Sequence, residues 1–364
     1  MTEAEGAGLR EALGRMGRNE LLRARLLDAC RLAESLPENA YTTPREELTG
    51  PVVDALHAQV DVVRKELSNG VVFDFYYRSR IARDFVMSVP EKPDHVWEPQ
   101  TTKLLLQLSE GAGNVLVGGA YFGDQAVLIA HALRGAGGVC HAFEPDAEQA
   151  AMLEHNARLN GLGNLRVSAV GLWSDSRTRL RLVGHDALAS PVAAEGDEAG
   201  GPTFPTTTVD EYLGRCGVGR VELIMLDLEG GELSALRGAR AQLSLPPGLA
   251  PNVVFEVHRS YVDWSGGLRN TEILRYLSSF GYTAFAVRDF QNNYDMRGRP
   301  VELIPAADVY LEGPPHGFNM LAVKDASVLD GRVRFCRGVS PKLLLHRDPS
   351  LHHPGGGLPP ATAD

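Results

Sequence analysis

Asp227, Glu256 and His258 are the side chains best suited to moving a proton or holding a divalent cation. Asp227 closes the apolar run 222–227, and Glu256 and His258 stand at the end of another, 252–257. Residues two apart on a strand face the same way, so Glu256 and His258 share a face. An imidazole titrates near neutrality and reads as a general base; an ordinary strand-end histidine is the alternative. Asp227 could orient that histidine, bind a hydroxyl, or join Glu256 as a cation ligand. Two carboxylates and an imidazole form a workable donor set, although a divalent metal is the less favoured reading. Glu229, one alternation beyond Asp227, reads equally as a cap for a helix starting near Gly231.

A second group of residues suits a nucleoside. The stretch Asn114 to Asp124, NVLVGGAYFGD, runs from an apolar strand into a glycine turn, and Glu144 ends the next strand, 139–143. Glycine at a strand's end allows a tight turn and a close approach. The helix that follows directs free N–H groups at the ligand, and the acid can accept both hydroxyls of a ribose. Gly118, Gly119, Ala120, Tyr121, Gly123, Asp124 and Glu144 are therefore candidate binding residues. The spacing is not G-x-G-x-x-G, which disfavours a nicotinamide dehydrogenase. The plainer alternative is a βαβ turn with glycines used for packing.

These residues need a sheet to position them. Apolar strands are expected at 114–118, 139–143, 165–170, 222–227, 252–257, 282–287 and 319–323, with helices at 124–134, 146–160, 231–243 and 270–280. Strands alternating with helices predict an α/β protein with a parallel sheet covered on both faces. The polar, proline-containing stretch before the seventh strand predicts that this strand runs antiparallel. Residues 1–95 read as a helical extension, a lid or a dimerisation region: leucines at helical spacing run through 1–40, and a second helical pattern spans 44–68. The main domain is 96–326, and 327–364 a C-terminal extension with a disordered tail from Arg347, where His352 and His353 read as solvated.

Aromatics and arginines mix in 73–85, which suits either an anion grip or, preferably, an element lying on the core. The acidic Gly/Pro/Ala-rich stretch 184–205 reads as a mobile surface loop. His131 and His141 read as structural, Asn156 as a helix-surface residue and Asn160 as helix-ending. With 364 residues and 44% apolar content the chain can bury a full core. Its net charge of −10 argues against nucleic acid, and no stretch reads as a membrane span. Four scattered cysteines and an acidic N-terminus predict reduced thiols, no signal peptide and a cytoplasmic setting.

From about 95 to 324 the sequence resembles the FkbM-type methyltransferases, which use S-adenosylmethionine. The matching pieces are WEPQ at 97–100, AFEPDAEQAAMLEHNARLNGL at 142–162, TTTVDEYL at 206–213, LIMLDLEGGELSALRGA at 223–239 and VVFEVHR at 253–259. The resemblance implies a Rossmann-like class I methyltransferase sheet of seven strands, the last antiparallel. It implies that Gly119 to Gly123 hold the amino-acid end of the cofactor and that Glu144 binds its ribose. Leu172 and Trp173 would lie by the adenine, and Asp227 and Glu229 would face the methyl-transfer centre. Three positions depart from the family: Val117 replaces an acid, Tyr121 an asparagine and Met225 a lysine. Glu98 or Asp124 must then supply the charge that steadies the cofactor's ammonium group.

Two functions follow as expectations. One is O-methylation of a small hydroxylated molecule, a sugar or a natural-product scaffold, with the methyl group passing in line to a hydroxyl that loses its proton to a general base, read as His258, with Asp227 and Glu256 beside it. The other is a catalytically silent binding or assembly module. In either case the leucine-rich N-terminal helices make a homodimer reasonable.

Overall fold

The computed structural model describes residues 3–39, 43–184, 190–193, 202–312 and 316–355. Two helices open the chain, α1 (Glu3–Gly17) and α2 (Glu20–Glu34), and α3 (Gly50–His57) follows. The helical pattern expected over 44–68 ends there. Its second half is strand β1 (Val62–Glu66), which forms an antiparallel hairpin with β2 (Val72–Tyr76). The cause is local: Asn69-Gly70 makes the turn, with Gly70 at φ +84°, and such a pair closes a hairpin more readily than it continues a helix. Helix α4 (Arg80–Val86) is capped by Ser79, whose side chain accepts from Ala82 N.

The main sheet has nine strands. All seven expected strands are present: β3 (Asn114–Gly118), β4 (Val139–Phe143), β5 (Leu165–Ser168), β10 (Leu223–Leu226), β11 (Asn252–His258), β12 (Thr283–Arg288) and β14 (Gly317–Val323). Counted one to seven in chain order, they lie side by side as 3-2-1-4-5-7-6. The pairs among the first five are parallel, and β14 is antiparallel to both its neighbours. The expectation of seven strands was short by two, because β13 (Val301–Pro305) and β15 (Val333–Phe335) extend the β12 edge. Polar Glu302 and Arg334 interrupt these strands and hide their pattern.

A separate small sheet contains β6 (Gly171–Leu172), β7 (Arg179–Val183), β8 (Ser190–Ala193) and β9 (Phe204–Thr207). Residues 190–193 of the expected loop are thus paired strand; 185–189 and 194–201 lie outside the described residues. The tail is likewise ordered to residue 355. Helix α12 (Pro349–His352) buries His352, whose Nδ1 meets Lys342 O. Residues 356–364 lie outside the described residues.

Packing follows the alternation of the central strands. Val115 and Val117 face a core that includes α5 (Pro99–Leu108), α6 (Ala126–Leu133), α7 (Ala147–Leu159) and the N-terminal Leu27, Phe73 and Phe85. Leu116 faces the opposite core, with α8 (Val209–Cys216), α9 (Glu232–Arg237), α10 (Arg240–Leu243) and α11 (Glu272–Ser279). Burial on both faces explains why β3 reads as a continuous apolar run. Asn156 corrects the helix-surface expectation. Fully buried, it donates to Asp74 O and Phe122 O and accepts from Asp74 N, tying the hairpin to α7 and the glycine turn. Its polarity suggests a surface, but a buried amide that pairs three backbone groups is fully used. Among the described residues no helix is long and apolar enough to cross a membrane.

Candidate active site

The strand order reverses between β3 and β10, the position where open α/β sheets bind ligands. The glycine turn is clamped there. Gly119 N and Ala120 N both donate to Phe143 O, Tyr121 N donates to Glu144 Oε2 at 2.8 Å, and Asp227 N donates to Gly118 O. Gly119 sits at φ +74°, and a Cβ on it would lie 1.7 Å from Asp227 O. Its bareness makes room for the neighbouring strand end. Gly118 leaves space for the Leu172 and Leu226 side chains, and Gly123 for Leu153 and Val127.

Backbone strain gathers at the same place. Among the described residues, the non-glycine residues with left-handed backbones are Glu98 (φ 48°), Tyr121 (φ 47°) and Glu229 (φ 49°). Such conformations cluster at sites where the surroundings enforce them. Glu98 opens α5 with no side-chain cap of its own. The α5 amides of Gln100 and Thr101 donate instead to the Asp289 carboxylate.

Carboxylates line this edge of the sheet. Glu144 accepts from Tyr121 N and Asp146 N, and burial pushes it up to about 7 despite those amides. Asp124 is likewise held at about 7 by burial, and Asp289 at about 6. Glu98, Asp227 and Glu256 are all driven well above the carboxylate range, first by burial and then by one another and their acidic neighbours. Glu98 Oε2 accepts from Asn319 Nδ2 at 2.7 Å, whereas Glu256 Oε2 is buried with no hydrogen-bond partner. Glu98 and Glu144 are buried and Asp124, Asp227 and Glu256 half-buried; carboxylates crowded in this way either keep their protons or take up a cation.

Glu98, Asp124, Glu144, Asp227 and Glu256, all anticipated as site residues, thus come together. The Trp173 side chain packs over Gly231, and its backbone N–H donates to Thr207 O. His258 faces Glu256 around Gly317, where a Cβ would lie 2.5 Å from the ring and 2.6 Å from Glu256 Oε1. Its Nδ1 accepts from Ser260 N, so a neutral ring carries its proton on Nε2. Among the described residues, the carboxylates that converge closely enough to hold an ion are Asp227, Glu229 and Glu256, with one oxygen from each within 4.8 Å of the others. His258 is outside that group. An all-oxygen set suits magnesium, manganese or calcium.

Glu229 is not the helix cap; its carboxylate accepts from the Tyr261 hydroxyl. The helix has no side-chain cap; Glu232, its first residue, accepts from Leu228 N and Gly230 N and fixes the turn that leads into it. Glu232, Asp289 and Asn319 escaped sequence reasoning. The available signals were the third acid of DLEGGE and the lone amide inside the apolar strand GFNMLAV.

The raised carboxylates set a pH dependence. Asp124, Glu144 and Glu232 each sit at about 7, above the unfolded value of about 4. The folded protein therefore binds these protons more tightly than the unfolded chain. Stability is full below the unfolded value and falls as pH rises through the folded one. His141, lowered to about 4 by burial, acts in the opposite sense, but below its ordinary value of about 6.5. Between about pH 8 and 6.5 the carboxylates dominate, and the three together are worth on the order of 2 kcal/mol. The melting temperature of the ligand-free protein is expected to rise as pH falls across that range. A fall would show that these groups are ionised in the folded state.

A parallel sheet in this order, with one antiparallel strand and a glycine turn facing an acid at the next strand's end, defines a class I methyltransferase fold. Residues 118–284 match the family model of the methyltransferase FkbM domain. Among solved structures, the chain is similar to methyltransferase FkbM from Methylobacillus flagellatus KT, at 18% identity and a TM-score of 0.33. The match covers 48% of this chain and 39% of that one, so the chain spans well under half of that relative. It is also similar to the O-methyltransferase of Bacillus cereus in complex with SAH, at 14% identity over 62% of this chain and 80% of that one, TM-score 0.32. A third is the O-methyltransferase TomG from Streptomyces achromogenes in complex with SAM, at 12% identity over 68% and 91%, TM-score 0.35. No curated protein matches the chain.

Proposed function

We propose that the chain is an S-adenosylmethionine-dependent O-methyltransferase acting on a small hydroxylated molecule. The observation that carries this reading is the line of buried and half-buried carboxylates, Glu144, Asp124, Glu98, Asp227 and Glu256, at the strand-order reversal, with Glu256 Oε2 left unpartnered. S-adenosylmethionine brings a sulfonium methyl donor and an ammonium group, the cations such a site lacks. Glu144 still has lone pairs for ribose hydroxyls after serving two amides. Glu98 and Asp124 stand in for the acid absent at Val117 and would face the ammonium group, and Asp227 would face the reacting centre. Glu256 Oε2 would accept the proton of the acceptor hydroxyl once the cofactor's positive charge has favoured its ionised form. His258 would donate from Nε2 and orient the acceptor.

Calorimetric titration with S-adenosylhomocysteine tests this reading, with NAD as a control and with magnesium added in a parallel run. The nucleoside thioether is expected to bind and NAD not. Replacing Glu144 with alanine should weaken binding by about 10- to 100-fold, the range for a charged hydrogen bond of about 1.5–3 kcal/mol. Absence of binding in the native protein would sink the enzyme reading and leave a silent module. A magnesium effect would assign Asp227, Glu229 and Glu256 to an ion.

A further inference from the structure

Strand β14 is buried from end to end, and Asn319 is its one polar side chain. The strand register fixes where it points. Val117, Met225, Val254 and Leu321 lie on one level of β3, β10, β11 and β14, and all four pack into the same core. One alternation nearer the ligand edge, the same face carries Asp227, Glu256 and, directly opposite Glu256, Asn319. Asn319 is 3% exposed. Its Nδ2 donates to Glu98 Oε2 at 2.7 Å and to Thr101 Oγ1 at 3.2 Å, while Oδ1 is buried with no hydrogen-bond partner among the described residues. A buried amide oxygen left open is costly unless a donor meets it.

Glu98, which this amide holds, is set up for a ligand. Its backbone is left-handed, at φ 48° and ψ 76°, and the α5 amides behind it are taken by Asp289. Its Oε1 takes no hydrogen bond among the described residues. Burial, Asp289, Asp227 and Asp124 favour the protonated form of Glu98, and Asn319 acts against them. Glu256 stands in the same field. So does Lys342, which the bridge between Asp289 and the Pro341–Leu343 segment seats nearby. An ionised carboxylate accepts from an ammonium group through every lone pair, whereas a protonated one spends an oxygen as a donor. The Asn319 N–H favours the ionised form.

We infer that Asn319 is a positioning residue of the cofactor site: through Nδ2 it holds Glu98 as the ionised acceptor for the ammonium group of S-adenosylmethionine, in place of the acid absent at Val117. The open Oδ1 offers the same group a neutral second acceptor. The inference rests on the methyltransferase reading and adds the residue on which the ammonium contact depends, 221 positions from Glu98 in the chain. An amide that only docks α5 on the sheet would treat ligands with and without the amino group alike.

The test is calorimetric titration with S-adenosylhomocysteine and with its deamino analogue, in which hydrogen replaces the amino group, between about pH 6.5 and 8.5. The native protein is expected to bind S-adenosylhomocysteine about tenfold or more tightly than the analogue. Asn319→Leu should lose most of that preference near neutral pH and bind the analogue within about twofold of the native protein. Because Glu98 then keeps its proton to higher pH, the lost S-adenosylhomocysteine affinity should be recovered as pH rises, with no such recovery for the analogue. In a Glu98→Gln background, which already lacks the preference, Asn319→Leu should change it no further. Asn319→Ala gives the same comparison should leucine not be accommodated, with analogue binding reporting the fold. Equal binding of the two ligands by the native protein would overturn the inference alone. So would Asn319 variants that keep the preference, that lose both ligands to the same degree, that pH does not restore, or whose loss adds to that of Glu98→Gln. A native protein that binds neither ligand would overturn the methyltransferase reading, and this inference with it.

Discussion

Gly119→Ala is expected to abolish S-adenosylhomocysteine binding and to destabilise the protein. The added methyl would lie 1.7 Å from Asp227 O and 2.8 Å from its carbonyl carbon, both backbone atoms that no side-chain rotation can clear. The residue also sits at φ +74°, where an L side chain costs roughly 1–2 kcal/mol. Pushing the two strand ends apart adds about 1–3 kcal/mol for overpacking. It also breaks the turn's bonds to Phe143 O and the amide of Tyr121 to Glu144, which position the acid proposed to hold the ribose. Gly137→Ala is the control, because Gly137 has φ +72° and nothing within 4 Å of its would-be Cβ. It should lose the backbone share and keep ligand binding. Equal losses in the two variants, read by thermal unfolding and titration, would remove the steric argument.

The second large effect lies away from the ligand. Arg288 is fully buried, and its guanidinium donates to Glu302 Oε2 at 2.7 Å, to Ser340 O and to Leu351 O. These bonds fasten β12 to β13 and fix the C-terminal segment that bears Lys342. Removing one partner of a buried pair leaves an uncompensated charge, typically worth about 3–5 kcal/mol. Arg288→Met is expected to lose that much stability in denaturant unfolding and to expose the C-terminal segment to proteolysis. The double replacement Arg288→Met with Glu302→Leu should recover much of the stability, since an apolar pair avoids the desolvation penalty. The proteolytic sensitivity should remain, because the bonds to Ser340 O and Leu351 O are absent in both. Were the single variant as stable as the native protein, Glu302 would have to be neutral or repaired by Arg334, which lies 3.6 Å from it.

Much of the site was legible because its signals are local. Glu144 follows an apolar strand, the glycines follow another, and Glu256 and His258 lie two apart on a third. Each pattern is a few residues long and arises from backbone geometry common to all parallel sheets. The helix expected at 60–68 misread a hairpin, because valines at mixed spacing satisfy a helical period as readily as a strand until Asn69-Gly70 is weighed. The disordered tail misread composition: glycine, proline and histidine are common there, yet His352 is held by Lys342 O and Leu351 by Arg288. Strand β13 was missed because the charge on Glu302 hides burial that Arg288 permits.

The order of strands and helices, the glycine turn and the acids at strand ends were determined by the sequence itself, because hydrophobic period and turn chemistry act between near neighbours. Which acids share a field was decided in three dimensions. Glu98 meets Asn319 from 221 residues away and is placed beside Asp227 and Glu256. The strain at Glu98, Tyr121 and Glu229, the pairing of Glu229 with Tyr261, and the seating of Lys342 against Asp289 arise in the same way. Each depends on which strands lie side by side, and that order is set by packing across the whole sheet, where charge and burial act through space and not along the chain.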